Sequence, residues 1–358
     1  KNSLFGWQLQ VGQNYRETNL INSVIRKEVS NDVVLSATDA DRVARSSFVR
    51  SAATFDFKKD RLLLNYDVNF NNTHSDTEGY GEGFVSDDAG KTKTLRQEGV
   101  ITYQKRFDDK DKKLDFKLDY SQNKVDFNLF SQYFNNDVLD NNSRQDYINA
   151  KVDYAQALKI LDEGKFSSGI LVDELSFITK NFGTTNLDYT RRTAAAYLEF
   201  QAKYKKFDFI LGGRTEAYKI TGKTDTDALL PFKQTRFFPN ASVQYNFMPQ
   251  IFFNMNYNKK IALPNTSALN PNNTNYQNPN VDYTGNPQLQ PTIFDNFEVK
   301  ISAFDYAFLG YDVSLASNQV VNRIFLNNNQ MTNTSVNIER LKIHNIDFGF
   351  PLPYMLFS

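Results

Sequence analysis

The chain has 358 residues, 40% hydrophobic and 23% charged, and its 41 basic and 41 acidic side chains cancel to a net charge of zero. With no basic cluster interleaved with aromatics, that balance argues against nucleic acid as a partner. The absence of cysteine excludes a disulfide scaffold, thiolate metal ligands and a cysteine nucleophile.

The chain begins Lys1-Asn2-Ser3-Leu4, already close to strand pattern and without a charged-then-apolar leader, as in a mature or truncated product. From there the dominant regularity is a two-residue alternation. Phe5, Trp7, Leu9 and Val11 open it, and Leu62, Leu64, Tyr66, Val68 and Phe70 repeat it against Asn65, Asp67, Asn69 and Asn71. It returns at Leu114, Phe116, Leu118 and Tyr120, at Ile148, Ala150, Val152 and Tyr154, at Ile251, Phe253, Met255 and Tyr257, and at Leu309, Tyr311, Val313 and Leu315. Side chains alternate faces along a strand, so each segment carries one apolar and one hydrophilic face. The runs last about nine to thirteen residues, the length of a tilted strand crossing a bilayer. In chain order the predicted strands are Leu4–Tyr15, Ser47–Lys58, Arg61–Asn72, Leu95–Phe107, Lys113–Ser121, Asp146–Ala155, Lys165–Phe177, Thr190–Lys203, Lys206–Ile220, Arg236–Phe247, Gln250–Lys260, Phe294–Ala303, Asp305–Ile324 and Ser335–Phe350.

The connections alternate as well. Those near Lys59, Lys205 and Pro249 are short, whereas Arg16–Ser46, Thr73–Thr94, Gln122–Arg144, Ile178–Tyr189, Thr221–Thr235, Ile261–Ile293 and Leu326–Thr334 are long. Outer-membrane barrels use short turns on the periplasmic side and long loops outside. The mean hydropathy of −0.54 fits a barrel whose strands are wet on one face, and no apolar run approaches the roughly eighteen residues of a membrane helix. The expected fold is therefore all-β: a transmembrane antiparallel up-and-down β-barrel, with about fourteen strands in this chain. Thirty-one Phe and 19 Tyr suit strands and the membrane–water interface.

Several blocks carry a family resemblance. Gln145-Asp146-Tyr147 opens one strand, and Asn186-Leu187-Asp188-Tyr189 leads into Ala194-Ala195-Ala196-Tyr197-Leu198-Glu199-Phe200. Leu211-Gly212-Gly213-Arg214-Thr215-Glu216, Phe237-Phe238-Pro239-Asn240-Ala241-Ser242, Asn258-Lys259-Lys260-Ile261, Leu269-Asn270-Pro271, Gly285-Asn286-Pro287-Gln288-Leu289-Gln290-Pro291 and Asn322-Arg323-Ile324-Phe325 follow in order. Together they resemble the outer-membrane β-barrel family of TonB-dependent-receptor-like proteins of Bacteroidetes-type bacteria, over the barrel portion only. Before residue 145 the likeness rests on alternation and on Gln104-Lys105-Arg106-Phe107. The resemblance implies a barrel of about twenty-two strands around an N-terminal plug. Here residues 1–358 are expected to form one partial barrel domain without the plug or the last strands. It further implies a bacterial outer-membrane location, outer-membrane lipid as surroundings, the TonB complex and a surface lipoprotein as partners, and an unidentified nutrient solute as cargo.

Little in the sequence points to catalysis. His74 and His344 have no neighbouring ligands at metal spacing, and no Gly-x-Ser-x-Gly elbow or phosphate-cradling glycine motif is present. Asp108-Asp109-Lys110-Asp111 is interrupted by Lys110 and reads as a solvated turn. No enzyme activity, cofactor or metal is expected. Arg214 and Glu216 share the strand face opposite Phe207, Phe209 and Leu211, and are predicted to point into the lumen, as an ion pair within its charge network, as plug contacts in a plugged receptor, or as groups that set ion selectivity in an open pore. Tyr276 and Tyr283 lie in the Asn/Pro-rich outer loop and are the candidates for ligand contact there. The leading expectation is a transporter wall. A passive porin-like channel and a scaffold for partner proteins are the alternatives.

Overall fold

The computed structural model describes residues 4–27, 32–81, 84–109, 112–131, 137–181, 186–271, 281–304, 307–327 and 330–350. One antiparallel sheet dominates. Its long strands are β1 (Leu4–Lys27), β2 (Asp32–Asp56), β3 (Asp60–Gly81), β4 (Phe84–Arg106), β5 (Lys112–Ser131), β6 (Asp137–Leu158), β7 (Glu163–Asn181), β8 (Leu187–Tyr204), β9 (Phe207–Thr224), β10 (Phe232–Met248) and β11 (Ile251–Ala262). After a helical turn, α1 (Thr266–Leu269), and a short strand, β12 (Val281–Thr284), come β13 (Thr292–Ala303), β14 (Ala307–Asn327) and β15 (Gln330–Gly349). Each long strand pairs with its sequence neighbours, β11 passing over β12 to β13. The added β12 lies parallel to β15 over Met331–Thr334. Among the described residues β1 pairs with β2 alone, so β1 and β15 are not joined.

The fourteen predicted strands are all present, and most run longer than the alternation suggested. The stretch Arg16–Ser46, expected as a long loop, is largely a hairpin whose ladder continues from Tyr15↔Arg45 to Lys27↔Asp32. Gln122–Ser131 and Asp137–Arg144 likewise form the outer half of the β5–β6 ladder. Above the membrane both faces of a strand meet water, so the selection for alternating apolar residues ends while the backbone pairing does not. The polar composition of these stretches is that of solvated strands.

Register separates the two faces. Leu64, Ile101 and Leu118 stand opposite one another across β3, β4 and β5. Their row continues through Ala150 to Val172. Ile170, Leu198, Leu211 and Phe237 are more than half exposed, which in a lipid solvent is the expected state of an outward wall. Tyr66 and Tyr120 mark a polar edge of that band, Tyr120 donating to Asp146 at 3.1 Å. The opposite face is lined by ion pairs such as Lys117–Asp119 (2.9 Å) and Lys151–Asp153 (2.8 Å).

An apolar core sits on this inner face at the long-hairpin end. Phe177, Tyr189, Tyr218, Ile220, Phe232 and Phe238 from the wall enclose Leu229, Leu269 and Leu289 from the loops. Asn265 caps α1, its side-chain oxygen accepting from the Ala268 amide at 2.7 Å, and Thr266 donates to Gln145 of β6 at 2.8 Å. The Asn-Pro and Gly-Asn-Pro segments lock together through Gly285 N–H to Asn270 O (2.8 Å) and Asn286 N–H to Ala268 O (2.7 Å). A Cβ on Gly285 would lie 2.3 Å from the Asn270 carbonyl oxygen, so only glycine permits this approach. The Asn337 side chain then ties the strap to β15, donating to Gln290 O (2.9 Å) and accepting from Gln290 N–H (2.8 Å).

Where the strap enters the wall, the sheet divides. The β10–β11 ladder stops at Asn240↔Asn258, although β10 continues with β9 to Phe232↔Ile220 and β11 with β13 to Ala262↔Thr292.

Candidate functional site: an inner-wall cavity

Below the apolar core the inner face hollows into a cavity of about 520 Å³ lined by residues of β6 to β11. Ladder register assembles it. Arg214 of β9 stands opposite Tyr197 of β8 and Phe238 of β10, and Glu216 stands opposite Ala195 and Arg236. Arg214 and Glu216, two apart on one strand, form an ion pair. The two partners differ in surroundings: the Glu216 side chain is 6% exposed and that of Arg214 is 49% exposed. The Arg214 guanidinium also lies 6.0 Å from the centre of the Phe238 ring.

Tyr197 is fixed from three directions. Its hydroxyl donates to Asp153 at 2.5 Å, the Lys151 ammonium lies 5.8 Å from its ring centre, and Gly169 leaves the room it occupies. A Cβ on Gly169 would fall 2.4 Å from the Tyr197 ring and 2.7 Å from an Asp153 oxygen. Deeper in the wall Arg191 meets Asp173 at 3.5 Å with both side chains largely buried, and the Arg191 Nε has no hydrogen-bond partner among the described residues. Glu199 accepts from Gln201 (2.7 Å) and Asn240 (3.4 Å), and Lys259 pairs with Asp295 at 3.4 Å. The cavity thus presents matched charges around Tyr197, Tyr218 and Phe238, a surface suited to holding a polar solute with flat or apolar parts. No arrangement of nucleophile and base stands among these groups.

Arg214 and Glu216 are therefore found side by side on this cavity. Lys151, Asp173, Arg191, Tyr197, Glu199 and Lys259 are not among the predicted site residues, although Tyr197, Glu199 and Lys259 stand in the family blocks. For the first five the inner-face position follows from the alternation of each strand, whereas Lys259 shares the parity of Met255 and Tyr257 and reaches the cavity where β11 has parted from β10; the convergence of all six needs the register of six strands. Tyr283 lies in β12 opposite Asn333, away from the cavity. Tyr276 lies outside the described residues, as do Lys110 and Asp111 of the acidic turn. His74 pairs with Asp76 at 3.3 Å, and Tyr311 and His344 Nδ1 share a hydrogen bond of 2.7 Å.

Residues 105–357 match the outer membrane protein beta-barrel family. The chain belongs to that family. The match starts within the Gln104-Lys105-Arg106-Phe107 block and includes all of β5 to β15, which sets this barrel chain in the bacterial outer membrane. No curated protein matches it. Among solved structures, the ferripyoverdine receptor of the outer membrane of Pseudomonas aeruginosa aligns over 98% of this chain and 54% of its own, at 12% identity and a TM-score of 0.62. BauA, the ferric preacinetobactin receptor from Acinetobacter baumannii, aligns over 98% and 59%, at 9% identity and a TM-score of 0.58. The alcaligin outer membrane receptor FauA from Bordetella pertussis aligns over 96% and 59%, at 12% identity and a TM-score of 0.52. At these identities the likeness is one of fold, and the barrel chain spans little more than half the length of each receptor.

Proposed function

We propose that this barrel chain is the wall of a TonB-dependent-receptor-like transporter that brings a nutrient solute across the outer membrane. The observation carrying this reading is the polar and aromatic cavity on the inner face, with Arg214 and Glu216 on its lining, in a wall that superposes along nearly its whole length on siderophore receptors. On this reading residues 1–358 are one partial barrel domain, and the plug, the TonB-pairing segment and further strands belong to the rest of a larger protein. Arg214 and Glu216 then face the solute path or the plug, and Tyr283, about one-third exposed, sits on the capture side. A passive channel made of these strands alone requires β1 to pair with β15, and the described residues hold no such ladder.

The test is uptake in a strain lacking the gene for this protein, with a panel of ferric chelates and other solutes too large for diffusion pores. Uptake of one panel member is expected to fall on deletion, to return with the intact gene, and to stop when TonB is removed. Uptake that survives loss of TonB, or a panel unaffected by the deletion, refutes the proposal.

A further inference from the structure

The outward face carries an unusual row at the top of its apolar band. Arg192 of β8, Lys219 of β9 and Lys233 of β10 stand directly opposite one another in the ladders. All three are exposed. Cross-strand neighbours are roughly 5 Å apart at Cβ, and like charges so placed repel. The one acidic neighbour in the row is Glu174 of β7, which accepts from Arg192 at 2.6 Å. Lys219 and Lys233 have no acidic partner among the described residues. On the same face Arg144 has a carboxylate two residues along its strand, Asp146, whereas Lys219 and Lys233 are flanked at those positions by Ala217, Thr221, Pro231 and Thr235. The row is therefore a local excess of positive charge that the protein itself leaves unanswered.

Its height is informative. From Phe207, at the short-turn end, to Lys219 is twelve residues, about 40 Å along a strand. With a tilt of about 40°, that is a rise of about 30 Å, at or just above the roughly 25 Å band that lipid covers. The row thus lies at the headgroup level of the outer leaflet. Below it, past the layer of Ala194, Ala217 and Thr235, the same face holds an apolar groove of about 490 Å³, floored by Ala196 and Gly213 and walled by Leu198, Ile170 and Phe237. Cations above and an apolar groove below, on one lipid-facing surface, match an amphiphile with an anionic head and a hydrocarbon tail.

We infer that Arg192, Lys219 and Lys233, with the groove below them, bind a phosphorylated glycolipid of the outer leaflet, phosphate on the row and one acyl chain in the groove. Counter-charge from the lipid relieves the repulsion within the row, and the groove orients the chain. The site is independent of any solute path, because it lies on the opposite face from Arg214 and Glu216.

The test measures lipid retained by the full-length protein in detergent, by native mass spectrometry, after incubation with bisphosphoryl lipid A, with dephosphorylated lipid A of the same chains, or with inorganic phosphate. The variants are the triple substitution Arg192→Gln, Lys219→Gln, Lys233→Gln, and the groove-filling Ala196→Trp. The bisphosphoryl lipid should stay bound through delipidation. Each cation is worth about fivefold, so the triple variant should lose about a hundredfold in affinity. Ala196→Trp, which leaves every charge in place, should also weaken binding. Equal retention of the dephosphorylated lipid, equal retention by the triple variant, or inorganic phosphate binding as tightly as the lipid overturns the inference.

Discussion

Leu269 is the point at which the strap can be released from the wall. It is 1% exposed and packed within the inner apolar core, on a four-residue helical turn too short to persist alone. Leu269→Ala removes three buried carbons and leaves a cavity whose walls are held by β-ladders and cannot collapse, a change that costs about 3 kcal/mol. That loss falls on local opening of the strap and not on the wall, because Phe177, Tyr218 and Phe232 keep their ladders. At 1.4 kcal/mol per factor of ten, the open population rises about a hundredfold. Amide hydrogen exchange followed by mass spectrometry reads this directly. Peptides covering Asn265–Asn270 and Gly285–Gln290 should exchange about a hundredfold faster in the variant, while the β9 peptide Phe209–Ile220 is unchanged. An unchanged strap would show that the core does not hold it. Equal acceleration in β9 would show that strap and wall open as one unit.

Three further outcomes follow from the two faces and the strap. Ile170→Arg, on the lipid side near mid-band, should destabilise the barrel by about 2–4 kcal/mol, whereas Lys117→Gln on the wet face should stay within about 1 kcal/mol, as measured by urea unfolding in lipid vesicles. The Arg214–Glu216 pair should respond asymmetrically to substitution: Arg214→Gln strands a buried carboxylate and should cost about 3 kcal/mol, while Glu216→Gln leaves a half-exposed guanidinium that water can serve and should cost about 1 kcal/mol or less. An inverted order in the same unfolding assay would contradict the burial assigned to the two groups. Gly285→Ala forces the Asn270 carbonyl away and breaks both hydrogen bonds of the strap. It should expose the strap to limited proteolysis, with heat-modifiable gel mobility unchanged.

The alternation was enough to place every membrane-crossing strand, because one face of each must satisfy lipid and the other water. It misjudged what lies beyond the membrane. Tyr15 to Lys27 and Asp32 to Ser46 carry no periodic apolar signal, and only the ladder shows that they are strands. The strap was visible as Asn270-Pro271 and Gly285-Asn286-Pro287, but its burial against Tyr218 and Phe232 was not, because the contact joins residues more than thirty positions apart. Arg214 and Glu216 were legible because two residues apart on a strand means one face. Tyr197 and Asp153, forty-four apart in sequence, meet only through the register of β6, β7 and β8.

The division between β10 and β11 gives this wall a direction in which it yields. Every other pair of long neighbours is zipped along much of its shared length, whereas here the zipper runs only from Met248↔Ile251 to Asn240↔Asn258, and side chains of the strap fill the notch above. Widening the outer rim costs no backbone hydrogen bonds between these strands until the notch reaches Asn240. Strain on the rim will therefore concentrate at a seam whose upper part is held by the apolar core and not by backbone pairing.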